Sequence, residues 1–195
     1  MAQTIIVADD HPLFRAALKQ AVSQAVPDAE TVEVDSIKAL QAAVESHPDA
    51  DLVLLDLNMP GAHGFSGLVF MRGQYPGLPV VVVSGSEELQ VMRRSIDYGA
   101  SGFIPKSAPL PTITEAIQAV LEGDVWLPAG VAEKIERMHS DATDFSEKLA
   151  SLTPQQFRVL GMLAEGLLNK QIAYDLDVSE ATIKAHITAV FRKLG

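Results

Sequence analysis

Residues 52–57 read Leu52-Val53-Leu54-Leu55-Asp56-Leu57, four apolar residues, one aspartate and a further leucine. So short a run, with no polar alternation, has neither face suited to water. That is the pattern of a strand covered on both sides. Runs of the same kind recur at 4–8, 31–34, 80–84 and 102–104. Between them the apolar spacing is helical, over 12–26, 37–46, 65–74, 87–98 and 110–122. Pro12 suits a first helical turn, Ser36 is a good N-cap, and Gly99 falls where a left-handed residue closes a helix. Five strand–helix units in strict alternation predict a five-stranded parallel sheet with helices on both faces. Right-handed crossovers make it doubly wound, with its functional edge at the carboxyl ends of the strands.

Beyond residue 123 the alternation stops. Trp126-Leu127-Pro128 breaks it, 131–138 reads as one short helix, and 139–144 is polar. Residues 124–150 are therefore expected to be a partly helical linker. From Leu152 the pattern is helical only. Thr153-Pro154-Gln155-Gln156 is a capping box with proline in the first turn. Phe157, Leu160, Leu163 and Ala164 share one face of the helix it opens, which Gly166 ends. Asn169 is expected to cap a second short helix and Ser179 a third, with Asp177-Val178 turning the chain between them. Helix, tight turn and capped helix is a helix-turn-helix layout. The expected organisation is an α/β doubly wound domain over 1–123, the linker, and a separate all-α domain over 151–195.

Composition bounds the function. There is no cysteine, hence no disulfide framework and no thiolate metal site. No apolar run approaches the roughly 18 residues of a membrane span, and the N-terminus carries no secretory pattern, so a cytoplasmic protein is expected. The net charge of −10 argues against a polyanion partner for the chain as a whole. It is unevenly divided: residues 151–195 sum to +1 and the first 150 to −11. Nucleic-acid binding is thus permitted for the tail alone.

Asp9 and Asp10 end the first strand and Asp56 lies near the end of the third, so three carboxylates converge at one rim. Like charges that close need neutralising, and a hard divalent cation with oxygen ligands does so; Mg2+ is the usual partner of a phosphoryl group. Ser84 ends the fourth strand with a hydroxyl and Lys106 follows the fifth with an ammonium. A nucleophilic carboxylate, a metal, a hydroxyl and a lysine make a phosphoryl-transfer site.

On these residues the chain resembles a known family. Val7-Ala8-Asp9-Asp10-His11-Pro12, Leu54-Leu55-Asp56-Leu57-Asn58-Met59-Pro60-Gly61, Val83-Ser84-Gly85 and Gly102-Phe103-Ile104-Pro105-Lys106 are similar to the motifs of receiver domains of bacterial two-component response regulators, whose fold is flavodoxin-like. The resemblance, over 3–123, implies that Asp56 is the phosphoacceptor and that Asp9, Asp10, Asp56 and the backbone carbonyl of Asn58 hold Mg2+. It further implies that Ser84 is the switch hydroxyl, Lys106 the phosphate-pairing cation, and Phe103 the aromatic whose rotamer reports phosphorylation. Two positions depart: the switch hydroxyl is serine rather than the commoner threonine, and Ser107 stands where many receivers have proline.

Residues 151–195 resemble the LuxR/FixJ-type helix-turn-helix through Leu152-Thr153-Pro154, Leu163-Ala164-Glu165-Gly166-Leu167, Asn169-Lys170-Gln171-Ile172-Ala173 and Lys184-Ala185-His186. This implies a recognition helix from Ser179, with Lys184, Ala185 and Thr188 facing base edges. Asn169, Lys170, Thr182 and His186 are placed to meet the DNA backbone. Leu168 departs from the small hydroxylic residue common there, and family members usually continue past the position of Gly195 into a fourth, dimerising helix. Together the two resemblances describe a NarL/FixJ-type response regulator. It would take its phosphoryl group from a sensor histidine kinase, bind double-stranded DNA, and dimerise on phosphorylation or on DNA. It would not be an enzyme beyond the Mg2+-dependent turnover of its own aspartyl phosphate. A Mg2+-dependent phosphohydrolase would need a substrate pocket and a general acid, and no acid beside Asp56 supplies one, with Asn58 two residues on; a DNA-binding protein with an inert receiver does not account for the intact carboxylates, Ser84 and Lys106.

Overall fold

The computed structural model describes residues 3–137 and 148–194. Strands β1 (Thr4–Ala8), β2 (Glu30–Val34), β3 (Leu52–Asp56), β4 (Val80–Ser84) and β5 (Gly102–Pro105) alternate with helices α1 (Pro12–Ala25), α2 (Ile37–Ser46), α3 (Ser66–Gln74), α4 (Leu89–Asp97) and α5 (Leu110–Leu121). All strand pairings are parallel, in the order β2-β1-β3-β4-β5. The expected elements all form, with ends that differ by at most two residues.

The unbroken apolar runs are explained by what covers them. Ile5, Val7, Leu52, Leu54, Val81, Val83 and Ile104 face α1 and α5. Their alternate neighbours Ile6, Ala8, Val53, Leu55, Val80, Val82 and Phe103 face α2, α3 and α4. Every residue of β3 and β4 is buried. Burying one such aliphatic side chain stabilises the fold by about 1.5–3 kcal/mol, so an inserted charge anywhere but at a strand end is strongly selected against by packing alone.

Local signals close the helices as expected. The Ser36 hydroxyl accepts from the Ala39 N–H at 3.3 Å, and Gly99 adopts φ +87° at the end of α4. Here the left-handed turn also presses the backbone on Arg72, whose Nε would lie 3.1 Å from any added Cβ.

The segment after α5 holds more structure than its composition suggests. Trp126 forms an isolated parallel bridge with Gly102, and its carbonyl accepts from the Phe103 N–H at 3.0 Å. The exposed edge of β5 is thereby partly covered, which limits strand-edge pairing with other chains. Helix α6 (Val131–Glu136) then lies beside α4 and buries Val131 in the α2–α4 core. The polar stretch 139–144 lies outside the described residues.

The C-terminal unit has helices α7 (Pro154–Ala164), α8 (Asn169–Asp175) and α9 (Glu180–Leu194). Both halves of the Thr153–Gln156 capping box form, at 3.0 and 3.3 Å. The Ser179 hydroxyl accepts from the Thr182 N–H at 3.1 Å. Asn169 is not the cap of α8 but its first residue; the preceding Leu168 N–H is satisfied instead by the Gln171 side chain at 2.8 Å. A hydroxylic residue at 168 would accept from the Gln171 N–H, which here donates to the Leu168 carbonyl at 2.8 Å.

The two units touch. Phe157 of α7 packs on Phe70 of α3, with ring centroids 6.2 Å apart, and on Gly73. Leu149, Leu152 and Val190 complete this cluster against Val69 and Tyr98.

Candidate functional site

The strand order decides where the site lies. β1 and β3 are neighbours, but β1 leads out to β2 on one side while β3 leads to β4 on the other, so the chain leaves a crevice between their carboxyl ends. Ala8 pairs with Leu55 and Asp56 with Val83, which carries Asp9 and Asp56 to the same level of the rim. Asp9 and Asp56 are almost fully buried and Asp10 is partly exposed.

Lys106 reaches into this crevice from the end of β5. Its Nζ lies 2.7 Å from Asp9 Oδ2 and donates to Asp56 Oδ2 at 2.8 Å. Burial pulls the Lys106 ammonium below its ordinary pKa, but the hydrogen bonds and charges of Asp56 and Asp9 outweigh that and hold it above. Lys106 therefore stays charged at any physiological pH. The ring of Phe14, on the first turn of α1, lies 4.9 Å beneath the ammonium and closes its remaining side. The backbone keeps these groups in place: the Lys106 N–H donates to the Ser84 carbonyl at 2.8 Å, joining β5 to β4 at the rim.

The other expected residues are placed as follows. Ser84 is buried at the end of β4, its hydroxyl accepting from the Ser86 N–H at 3.1 Å. The Asn58 N–H donates to Asp56 Oδ1 at 3.1 Å, holding one oxygen of the carboxylate while Lys106 holds the other. Phe103 is fully buried, facing the α2–α4 side of the sheet rather than the crevice. The Lys106–Ser107 peptide bond is trans.

Residues 5–118 match the model of the response regulator receiver domain, and residues 150–195 that of the bacterial regulatory proteins of the luxR family. This chain belongs to the NarL/FixJ-type two-component response regulators. It is 43% identical, over 98% of its length and 89% of the relative's, to the glycerol metabolism activator of Pseudomonas putida. It is 30% identical to the nitrate/nitrite response regulator protein NarL of Escherichia coli, covering 98% of this chain and 88% of that one. Among solved structures, RcsB of Salmonella enterica serovar Typhimurium, bound to a promoter with the phosphomimetic BeF3−, superposes with a TM-score of 0.61 at 25% identity, covering 100% of this chain and 93% of that one.

In this response regulator the crevice is typical of a phosphoaspartate and Mg2+ site, and the donor set fits such a cation. Three carboxylates and one ammonium leave a net charge of −2, which one divalent ion cancels. Asp9 Oδ2 and Asp10 Oδ1 are buried without a well-formed hydrogen bond, although each faces a nitrogen: Lys106 Nζ at 2.7 Å and His11 Nδ1 at 2.8 Å. They are the oxygens a hard cation would take up. The sequence does not single out His11, Phe14 or the Trp126 carbonyl; each contributes through a contact that adjacency alone does not disclose.

In the response regulator's tail, Lys170, Thr182, Lys184, Ala185 and Thr188 are exposed, while Asn169 and His186 are half-buried. The Thr188 hydroxyl donates to the Lys184 carbonyl at 2.9 Å. Lys184, Ala185 and Thr188 stay exposed with the two units in contact, because docking uses the opposite side of α7 and the end of α9. Among the described residues, no helix is long and apolar enough to cross a membrane.

Proposed function

We propose that this chain, which controls DNA binding and transcription on phosphorylation, accepts the phosphoryl group on Asp56, from the phosphohistidine of a sensor kinase. One Asp56 oxygen attacks phosphorus, the O–P bond forms as the P–N bond breaks, and the imidazole leaves with the electron pair and takes up a proton. Asp9, Asp10, Asp56 and the Asn58 carbonyl would hold Mg2+, which neutralises charge developing on the phosphoryl oxygens. Lys106 pairs with one of those oxygens, and the Ser84 hydroxyl donates to another once turned from Ser86.

Residues 1–123 act as receiver, 124–150 as linker and 151–195 as the DNA-binding unit. Phosphorylation reaches the tail through the Ser84 and Phe103 side of the sheet, which α4 covers. Lys184, Ala185 and Thr188 read base edges, while Asn169, Lys170, Thr182 and His186 meet the DNA backbone of a two-half-site operator bound by a homodimer. The observation that carries the reading is the convergence of a buried Asp56 with Lys106, 2.8 Å apart, at the β1–β3 crevice. Small acyl phosphates in Mg2+ should label the wild type and leave Asp56→Asn unlabelled. Labelling of Asp56→Asn at the wild-type level would refute the assignment.

A further inference from the structure

We propose that His11 is an additional ligand of the cation in the β1–β3 crevice, and that it turns the site toward cations that accept nitrogen, of the Ni2+ and Zn2+ class, relative to Mg2+. The inference rests on the assignment of Asp9, Asp10 and Asp56 as cation ligands.

His11 Nδ1 lies 2.8 Å from Asp10 Oδ1, 3.5 Å from Asp9 Oδ1 and 3.9 Å from Asp56 Oδ2. One donor atom from each of the four residues falls within 4.8 Å of every other. Donor atoms around one cation with bonds of about 2.0–2.2 Å are separated by roughly 3–4.2 Å, the range these three separations nearly span. The imidazole, 64% exposed, therefore stands at the outer edge of the ligand shell with Nδ1 turned toward the carboxylates.

The backbone explains why it stays there. A residue before proline is restricted to extended conformations, and His11, before Pro12, has φ −91° and ψ 107°. Its N–H donates to Asp9 Oδ1 at 2.7 Å and its carbonyl accepts from the Arg15 N–H at 2.9 Å, so both sides of the residue are held. Two nearly buried carboxylates, an Asp10 oxygen and the imidazole nitrogen 2.8 Å from it then form a mixed oxygen–nitrogen donor set. Mg2+ takes oxygen and gives up its waters reluctantly, whereas imidazole suits Ni2+ and Zn2+.

Calorimetric titration of the full chain with Ni2+ and with Mg2+ tests this, using wild type, His11→Ala, His11→Gln and Asp9→Asn. In both His11 variants the ratio of Ni2+ to Mg2+ affinity should fall by about ten-fold or more. Zn2+ should shift the Nδ1 resonance of His11 in a nitrogen-15 imidazole spectrum. An unchanged affinity ratio, or a His11 ring that Zn2+ leaves unmoved, overturns the proposal. Asp9→Asn should weaken both cations; if it weakens neither, the carboxylate assignment beneath the proposal fails, whatever His11 does.

Discussion

The receiver and the C-terminal unit solve opposite problems. The receiver buries four of its strands on two faces, with the edge strand β2 partly exposed, and that rigidity holds Asp9 and Asp56 both within ion-pair distance of Lys106. Apart from the cluster that meets the receiver, the tail buries a core of only a few side chains, Val159, Ile172, Ala173 and Ile183, and leaves Leu168, Tyr174 and Phe191 exposed. Its candidate contacts lie on two neighbouring helices, Asn169 and Lys170 at the start of α8 and the other five on α9. The difference teaches that a site made of distant residues demands a large scaffold, whereas a surface offered by two adjacent helices needs only enough core to hold them still.

Substitutions should separate the two regimes, and the largest effect is expected in the smaller unit. Ile172→Ala should cost about 2–4 kcal/mol, a large share of what so small a core supplies. Operator binding should collapse while phosphoryl labelling of the receiver is retained. Chemical denaturation followed separately through the two activities checks this; joint loss would mean that the units fold as one.

A smaller effect is expected in the crevice. Lys106→Met leaves Asp9 and Asp56 facing each other without their ammonium, which should destabilise the receiver by about 1–3 kcal/mol after allowance for partial exposure. Saturating Mg2+ should recover part of the loss in urea titrations. Because the folded-state pKa of Lys106 is raised, its contribution is complete below the ordinary lysine value of about 10.4 and is lost only as pH rises through the still higher folded value. The gap between wild type and Lys106→Met should therefore stay constant from about pH 7 to pH 9. A gap that narrows in that window contradicts the ion pairing.

The smallest effect belongs to the recognition face. Lys184→Ala should weaken operator binding by about 1–2 kcal/mol, and discrimination between sequences should relax at one base position. Stability and labelling should not move, since Lys184 is exposed. An equal loss on all sequences, with a shallower salt dependence, would reassign Lys184 to phosphate contact.

Much of this was legible in the chain. The runs at 4–8 and 80–84 form strands with those bounds, and the Thr153 capping box closes as its residues require. Asp9, Asp10, Asp56, Ser84 and Lys106 could be assigned to one rim because strand ends in a parallel sheet share an edge. Asn169 differs from its expected place by one residue: its type favours capping, but the helix begins at Asn169 itself and the Gln171 side chain accepts from the Leu168 N–H. Trp126 was legible only as a break in the pattern, since pairing with Gly102 depends on where β5 lies.

Local chemistry thus determined the elements, their caps and the residue types available at each strand end, because those depend on neighbours within a few positions. Tertiary structure alone decided that Lys106 would sit between Asp9 and Asp56 over the ring of Phe14, and that His11 would turn toward the carboxylates. It also decided that Phe157 would meet Phe70, joining the tail to the receiver away from Lys184. The physical reason is that strand order and side-chain direction are set by packing the whole chain around one sheet, and the distances that govern charge and coordination follow only from that.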